Sequence, residues 1–121
     1  AGVQEIDGGL KMATVEVNSI IKKIIYTLIE KYHPVKIILF GSYAYGVPDE
    51  DSDFDLLIIK NTDKKRRVDR FVEVKRLIFN PEIKIPISPI VLTNDEVNER
   101  LKMGDDFLEE ILTKGKVLYE R

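Results

Sequence analysis

Two short groups of residues carry the chemistry that can be read from this chain. "FGSYAYGVPDEDSDFDLLII", residues 40–59, sets a Gly41-Ser42 turn directly after an apolar run, and ten residues later places Asp53 and Asp55 at the mouth of a second apolar run. Side chains alternate along a strand, so Asp53 and Asp55 point the same way, with Cα atoms roughly 6.5–7 Å apart. Two carboxylates on one face can bracket a hard cation, and magnesium takes one or two carboxylates together with phosphate oxygens and water. Gly41 lets a phosphate approach the backbone, and Ser42 adds a hydroxyl and free amides at the start of a helical turn. A glycine-serine turn or an acidic loop alone is an ordinary surface feature. Together they suggest a metal–nucleotide site.

The elements that must hold these residues follow from apolar spacing. Val17, Ile20, Ile21, Ile24, Ile25, Leu28, Ile29 and Tyr32 repeat at helical intervals, and the helix ends at His33-Pro34, because proline cannot continue the hydrogen-bond ladder. "VKIILF" reads as a buried strand, "SYAY" as one helical turn broken by Gly46 and Pro48, and "FDLLIIK" as a second strand. A second long helix is expected in "NTDKKRRVDRFVEVKRLIF", with Asn61, Thr62 or Asp63 as N-cap and Val68, Phe71, Val72, Ile78 and Phe79 on its buried face. In "IKIPISPIVLT" the alternation is that of a strand, but Pro86 and Pro89 remove ladder donors and point to an edge or a bulge. Two short helices, a stop at Gly115 and a final strand "KVLY" complete the chain. The order predicts an α/β (α+β) layer fold, a small mixed sheet flanked by helices. Residues 1–13 read as a frayed arm or a cloning remnant, and residues 14–121 as a single domain.

Composition narrows the function classes. With 121 residues the chain has room for one core but not for a separate acceptor-binding domain, so a large substrate is expected to be another molecule. Nineteen basic residues against 21 acidic ones leave no positive excess for general nucleic-acid binding. The absence of cysteine excludes thiolate chemistry and fits a cytoplasmic protein. No apolar run approaches the roughly 20 residues of a membrane span.

The motif and its surroundings resemble the minimal nucleotidyltransferases, small members of the DNA polymerase beta-like superfamily. "ILFGSYAYGVPDEDSDFDLLII" is similar to that family's core, and "FLEEILTKGKVLYER" to its usual ending; the resemblance covers about residues 14 to 121. It implies that Gly41 and Ser42 hold the phosphates of ATP or another NTP, and that Asp53 and Asp55 ligate Mg2+ during nucleotidyl transfer. It also implies a helical HEPN partner, with the chain as the antitoxin of a toxin–antitoxin pair and AMP passing to a hydroxyl on that partner.

The sequence departs from the family in one place. A third carboxylate is expected on a later strand, where it helps hold a second metal and takes the proton of the attacking hydroxyl, and Ser88 stands at that position. A serine hydroxyl is no proton acceptor near neutral pH and a poor ligand for a catalytic magnesium. Glu82 and Asp95 are substitutes if the strand register differs, although Asp95 lies beyond the strand, where it reads as a helix cap. Two further readings therefore stand beside the enzyme: a nucleotide-binding module that neutralises a partner by complex formation, and a transferase acting on a small acceptor such as an aminoglycoside.

Other residues read as structural. "KKRR", Lys64 to Arg67, is expected in the first turn of the second long helix, where positive charge opposes the macrodipole. That is a solvated face with a mild indication of a partner. His33 reads as a helix end, and Tyr43 and Tyr45 as packing residues beside the motif.

Overall fold

The computed structural model describes residues 2–3 and 15–121, with side chains from residue 19 onward. In chain order the elements are β1 (Gly2–Val3), α1 (Val15–Tyr32), β2 (Lys36–Phe40), α2 (Ser42–Tyr45), β3 (Phe54–Ile59), α3 (Arg67–Leu77), β4 (Ile87–Leu92), α4 (Asn94–Lys102), α5 (Asp106–Lys114) and β5 (Lys116–Glu120). The sheet order is β1-β5-β2-β3-β4, antiparallel except for the parallel pair β3–β4, so a two-residue β1 fringes a mixed four-strand sheet. This is the expected architecture. Gly2–Val3 pair with β5, and the rest of the expected N-terminal arm, like the Val17 side chain, lies outside the described residues.

Strand alternation divides the core between two faces. Ile37, Leu39, Phe54, Leu56, Ile58, Ile87 and Val91 meet Ile21, Ile24, Ile25, Leu28 and Tyr32 of α1 and Val74 of α3. Ile38, Phe40, Leu57, Ile59 and Leu92 meet Val97 of α4 and Leu108 and Ile111 of α5. A fully buried side chain such as Leu28 or Ile37 stabilises the fold by about 1.5–3 kcal/mol. Helix α1 stops where expected: His33 adopts φ 54, its amide reaches the Leu28 carbonyl at 3.1 Å, and its own carbonyl accepts from Arg121 at 3.0 Å. With Pro89 within it and Pro86 just before it, β4 is an outer strand, as proline favours.

Helix α3 differs from the sequence expectation. It begins at Arg67 with Arg66 at the N-cap and no side-chain cap, so Asn61, Thr62 and Asp63 lie well before it. Lys64 to Arg66 precede the helix, with Lys64 3.8 Å from Glu73 and Arg66 3.8 Å from Asp69, so the expected conflict with the macrodipole is largely avoided. The buried face is also different. Arg70 and Val74 point inward, with Ile78 just past the helix end, while Val68, Phe71, Val72 and especially Phe79 stay exposed.

Arg70 explains the rotation. Its side chain is only 3% exposed, yet its guanidinium donates to the carbonyls of Lys64 at 2.6 Å and Val91 at 3.2 Å and to the Glu96 carboxylate at 2.7 Å. A buried charge is tolerated only when so engaged. Glu96 in turn accepts from the Thr93 amide at 2.8 Å, completing a capping box in which Thr93, not Asp95, caps α4. Burial raises the Glu96 carboxyl's pKa, but its bonds from Arg70 and Thr93 outweigh that and hold it below the ordinary value. A depressed carboxylate contributes stability above its unfolded pKa and loses it as pH falls through the folded one. Glu96→Gln should therefore cost about 1 kcal/mol at pH 7, and urea unfolding should show the gap to wild type closing below pH 4.5.

Candidate active site

Strand pairing assembles the motif. Phe40, the last residue of β2, faces Asp55 across the antiparallel ladder, and Ser88 faces Asp55 from the parallel side. Paired residues share a face. Phe40 belongs to the cluster under α4 and α5, so Asp55 and Ser88 project to that same side, at the end of the sheet where β2 stops. Asp53, just before β3, joins them, because the Ser88 hydroxyl donates to its Oδ2 at 3.3 Å. Asp53, Asp55 and Ser88 are thus brought together.

Gly41 is held against this group. Its φ of 76 is one that side chains rarely adopt, and a Cβ here would collide with Asp55 Oδ2 and lie 3.2 Å from Asp55 Cγ. The bare backbone lets the turn close over the carboxylate. Helix α2 is a single turn in which the amides of Ala44 and Tyr45 both reach the Gly41 carbonyl at 3.0 Å, with no side-chain cap. That leaves the first amides, those of Ser42 and Tyr43, for an outside acceptor. Tyr43 itself packs on Phe54 at 4.2 Å between ring centroids, whereas Tyr45 is exposed.

The acidic loop is divided in its uses. The Asp49 carboxylate accepts from the Asp51 amide at 2.9 Å and the Ser52 hydroxyl at 3.2 Å, so it shapes the loop. Glu50 and Asp51 are exposed. Asp55 is different: burial, and then the charge of Asp53, push its carboxyl above the ordinary value. Two such carboxylates fit a hard divalent cation, which would relieve both costs. Among the described residues no group of three carboxylate, histidine or cysteine side chains converges. Glu82 sits exposed in the loop before β4, and Asp95 lies past the far end of β4, where Leu92 pairs with Ile59, so neither joins the pair.

A cleft of about 290 Å³ runs along the turn, lined by Ser42, Tyr43, Tyr45, Gly46, Pro48 and the half-buried Lys116 of β5. Lys116 reaches this place through its pairing with Leu39, a contact across 77 residues that no local pattern announces. The larger cleft, about 490 Å³, lies between α1 and α3, away from both aspartates, so size does not locate the chemistry. No described helix is long and apolar enough to cross a membrane.

The family described as nucleotidyltransferase domain matches residues 21–119, which include the turn, both aspartates and Ser88. The chain belongs to this family. Two Methanocaldococcus jannaschii proteins are similar to it. One, named "Putative protein adenylyltransferase MJ1305", is 39% identical over 89 residues, 72% of this chain and 59% of that protein. The other, "Putative protein adenylyltransferase MJ0604", is 35% identical over 101 residues, 82% of this chain and 94% of that protein. The chain therefore spans under two thirds of the first relative and nearly all of the second. The solved structure titled as a "putative nucleotidyltransferase" from Sulfolobus solfataricus shares the fold, with a TM-score of 0.59 at 20% identity, covering 85% of this chain and 79% of its own.

The raised pKa of Asp55 carries a consequence for stability. Its ionised form is penalised in the folded state, so the cost is present above the folded pKa and is relieved as pH falls through it. Asp55→Asn should raise the Tm in metal-free buffer at pH 7 by about 2 °C, with the gain shrinking on acidification when followed by circular dichroism.

Proposed function

We propose that this domain binds ATP or another NTP with Mg2+ and transfers the nucleotidyl group, as AMP, to a hydroxyl on a partner protein. The observation that carries the reading is the convergence of the Gly41 turn and the Asp53–Asp55 pair on one end of the sheet, in a chain of the nucleotidyltransferase family. The relatives named for protein adenylyl transfer support a protein acceptor. Family resemblance adds a HEPN-type partner, with this chain as the antitoxin.

The reaction is a displacement at phosphorus. The acceptor oxygen forms a bond to the α-phosphorus, the bond to the α,β-bridging oxygen breaks, and pyrophosphate leaves with that electron pair. Asp53 and Asp55 would hold Mg2+, which supplies charge neutralisation to the phosphates and leaving group. The chain's own part is positional. The Ser42 and Tyr43 amides offer donors to phosphate oxygens, Lys116 adds a positive charge beside the same cleft, and Gly41 keeps the turn close to the carboxylates.

A second reading rests on Ser88. Its hydroxyl occupies the place beside Asp53 where the family's third acid is expected, so the acceptor's proton is left to the carboxylate pair or to water. A nucleotide-binding module that neutralises its partner by complex formation follows if that loss is too great.

Incubation with labelled ATP, magnesium and the protein encoded next to it should label that neighbour, and Asp53→Ala with Asp55→Ala should abolish the label. No label with wild type, together with neutralisation by the double variant, would favour the second reading. Because Ser88 lies opposite Asp55, Ser88→Asp should raise metal-dependent transfer by about a hundredfold, the low end for a positioned general base. An unchanged rate would mean that no acid is needed there.

A further inference from the structure

The transfer as derived leaves one conspicuous side chain unused. Phe107, in the first turn of α5, meets the buried Phe40 edge-on, with ring centroids 5.7 Å apart and an interplanar angle of 82°, yet it is 53% exposed. Its neighbours Leu108 and Ile111 are anchored in the core, so the ring is held in place while remaining open to solvent. An edge-to-face contact occupies at most one face of each ring, which leaves a face of Phe107 free to stack.

The ring's position relates it to the site. Phe40 is the cross-strand partner of Asp55 and shares its face of the sheet. Phe107 is thus separated from the cross-strand partner of Asp55 by a single ring contact, on the same face and at the same end of the sheet as the carboxylates. The acidic side chains Asp105, Asp106 and Glu109 of the cap and first turn of α5 make this corner less suited to the triphosphate than to a neutral group, although Arg100 pairs with Asp105.

We propose that Phe107 is the stacking platform for the nucleobase of the bound NTP, a proposal that rests on the transferase reading above. Stacking uses a π-face that every base has, so the ring provides affinity for the nucleoside half without reading its edge. The triphosphate is held independently at the other end, by the turn and the carboxylate-bound cation.

Calorimetry on the full chain tests this with two probes, Mg-ATP and Mg-tripolyphosphate, the latter lacking a base. Phe107→Ala should weaken ATP by about tenfold, within the range measured for base–aromatic stacking, and leave tripolyphosphate unchanged. Phe107→Leu, which keeps an apolar contact with Phe40 but has no π-face, should behave like the alanine variant and guards against a folding defect. Phe107→Trp should retain ATP binding, and because the chain has no tryptophan its single indole should be quenched by ATP and not by tripolyphosphate. ATP affinity within twofold of wild type in the alanine and leucine variants overturns the proposal, as does loss of partner labelling at unchanged ATP affinity, which would assign the ring to the acceptor. Failure of wild type to bind either probe would instead bring down the transferase reading and this proposal with it.

Discussion

The approach of the Gly41 backbone to the Asp55 carboxylate is the contact on which the site depends. Antiparallel pairing of β2 with β3 places the end of one strand beside the start of the other, and the chain then has to turn directly over an acidic side chain. Only a residue without Cβ can do so at φ 76. The close fit brings backbone donors and carboxylate oxygens to one small region, where the first would suit phosphates and the second a cation. It also leaves a charge partly buried beside another of the same sign, an arrangement that disfavours the ion-free fold and that a bound cation would relieve.

The third member of the group is held by different means. Ser88 lies on an outer strand interrupted by proline, which is a weak place to fix a side chain. Three side-chain contacts compensate. Arg70 bonds the Val91 carbonyl, Lys75 reaches the Ile87 carbonyl at 3.0 Å, and the Thr93–Glu96 capping box begins the next helix directly after β4. Helix α3 thus holds both ends of β4 through cations, and the register that sets Ser88 opposite Asp55 follows from that clamp as well as from the ladder itself.

The same clamp accounts for what the sequence did not reveal about α3. Helical spacing alone assigns Val68, Phe71 and Val72 to the core, since apolar residues usually lie inward. Their exposure results from a competition in which one arginine finds three acceptors inside and rotates the helix accordingly. No pattern within the helix reports acceptors that are supplied by β4 and α4. The cap assignments failed for a related reason: Asn61, Thr62 and Asp63 are good cap residues, but the Lys64 carbonyl is committed to Arg70 and the helix begins only after it.

The sequence by itself determined the features that depend on neighbours along the chain. Among these are the α1 face and its stop at Pro34, the three buried strand runs, the outer position of the proline-bearing strand, and the common orientation of Asp53 and Asp55, because periodicity and backbone stereochemistry act over a few residues. Tertiary structure alone decided which acids remain unengaged, with Asp49 turned to shaping its loop and Asp95 carried to the far end of β4. It also decided that Lys116 lines the cleft beside the turn, that Phe107 meets Phe40, and that Arg70 rather than an apolar stripe faces inward. Those outcomes depend on which strands pair and in what register, and pairing joins residues whose separation along the chain carries no local signal.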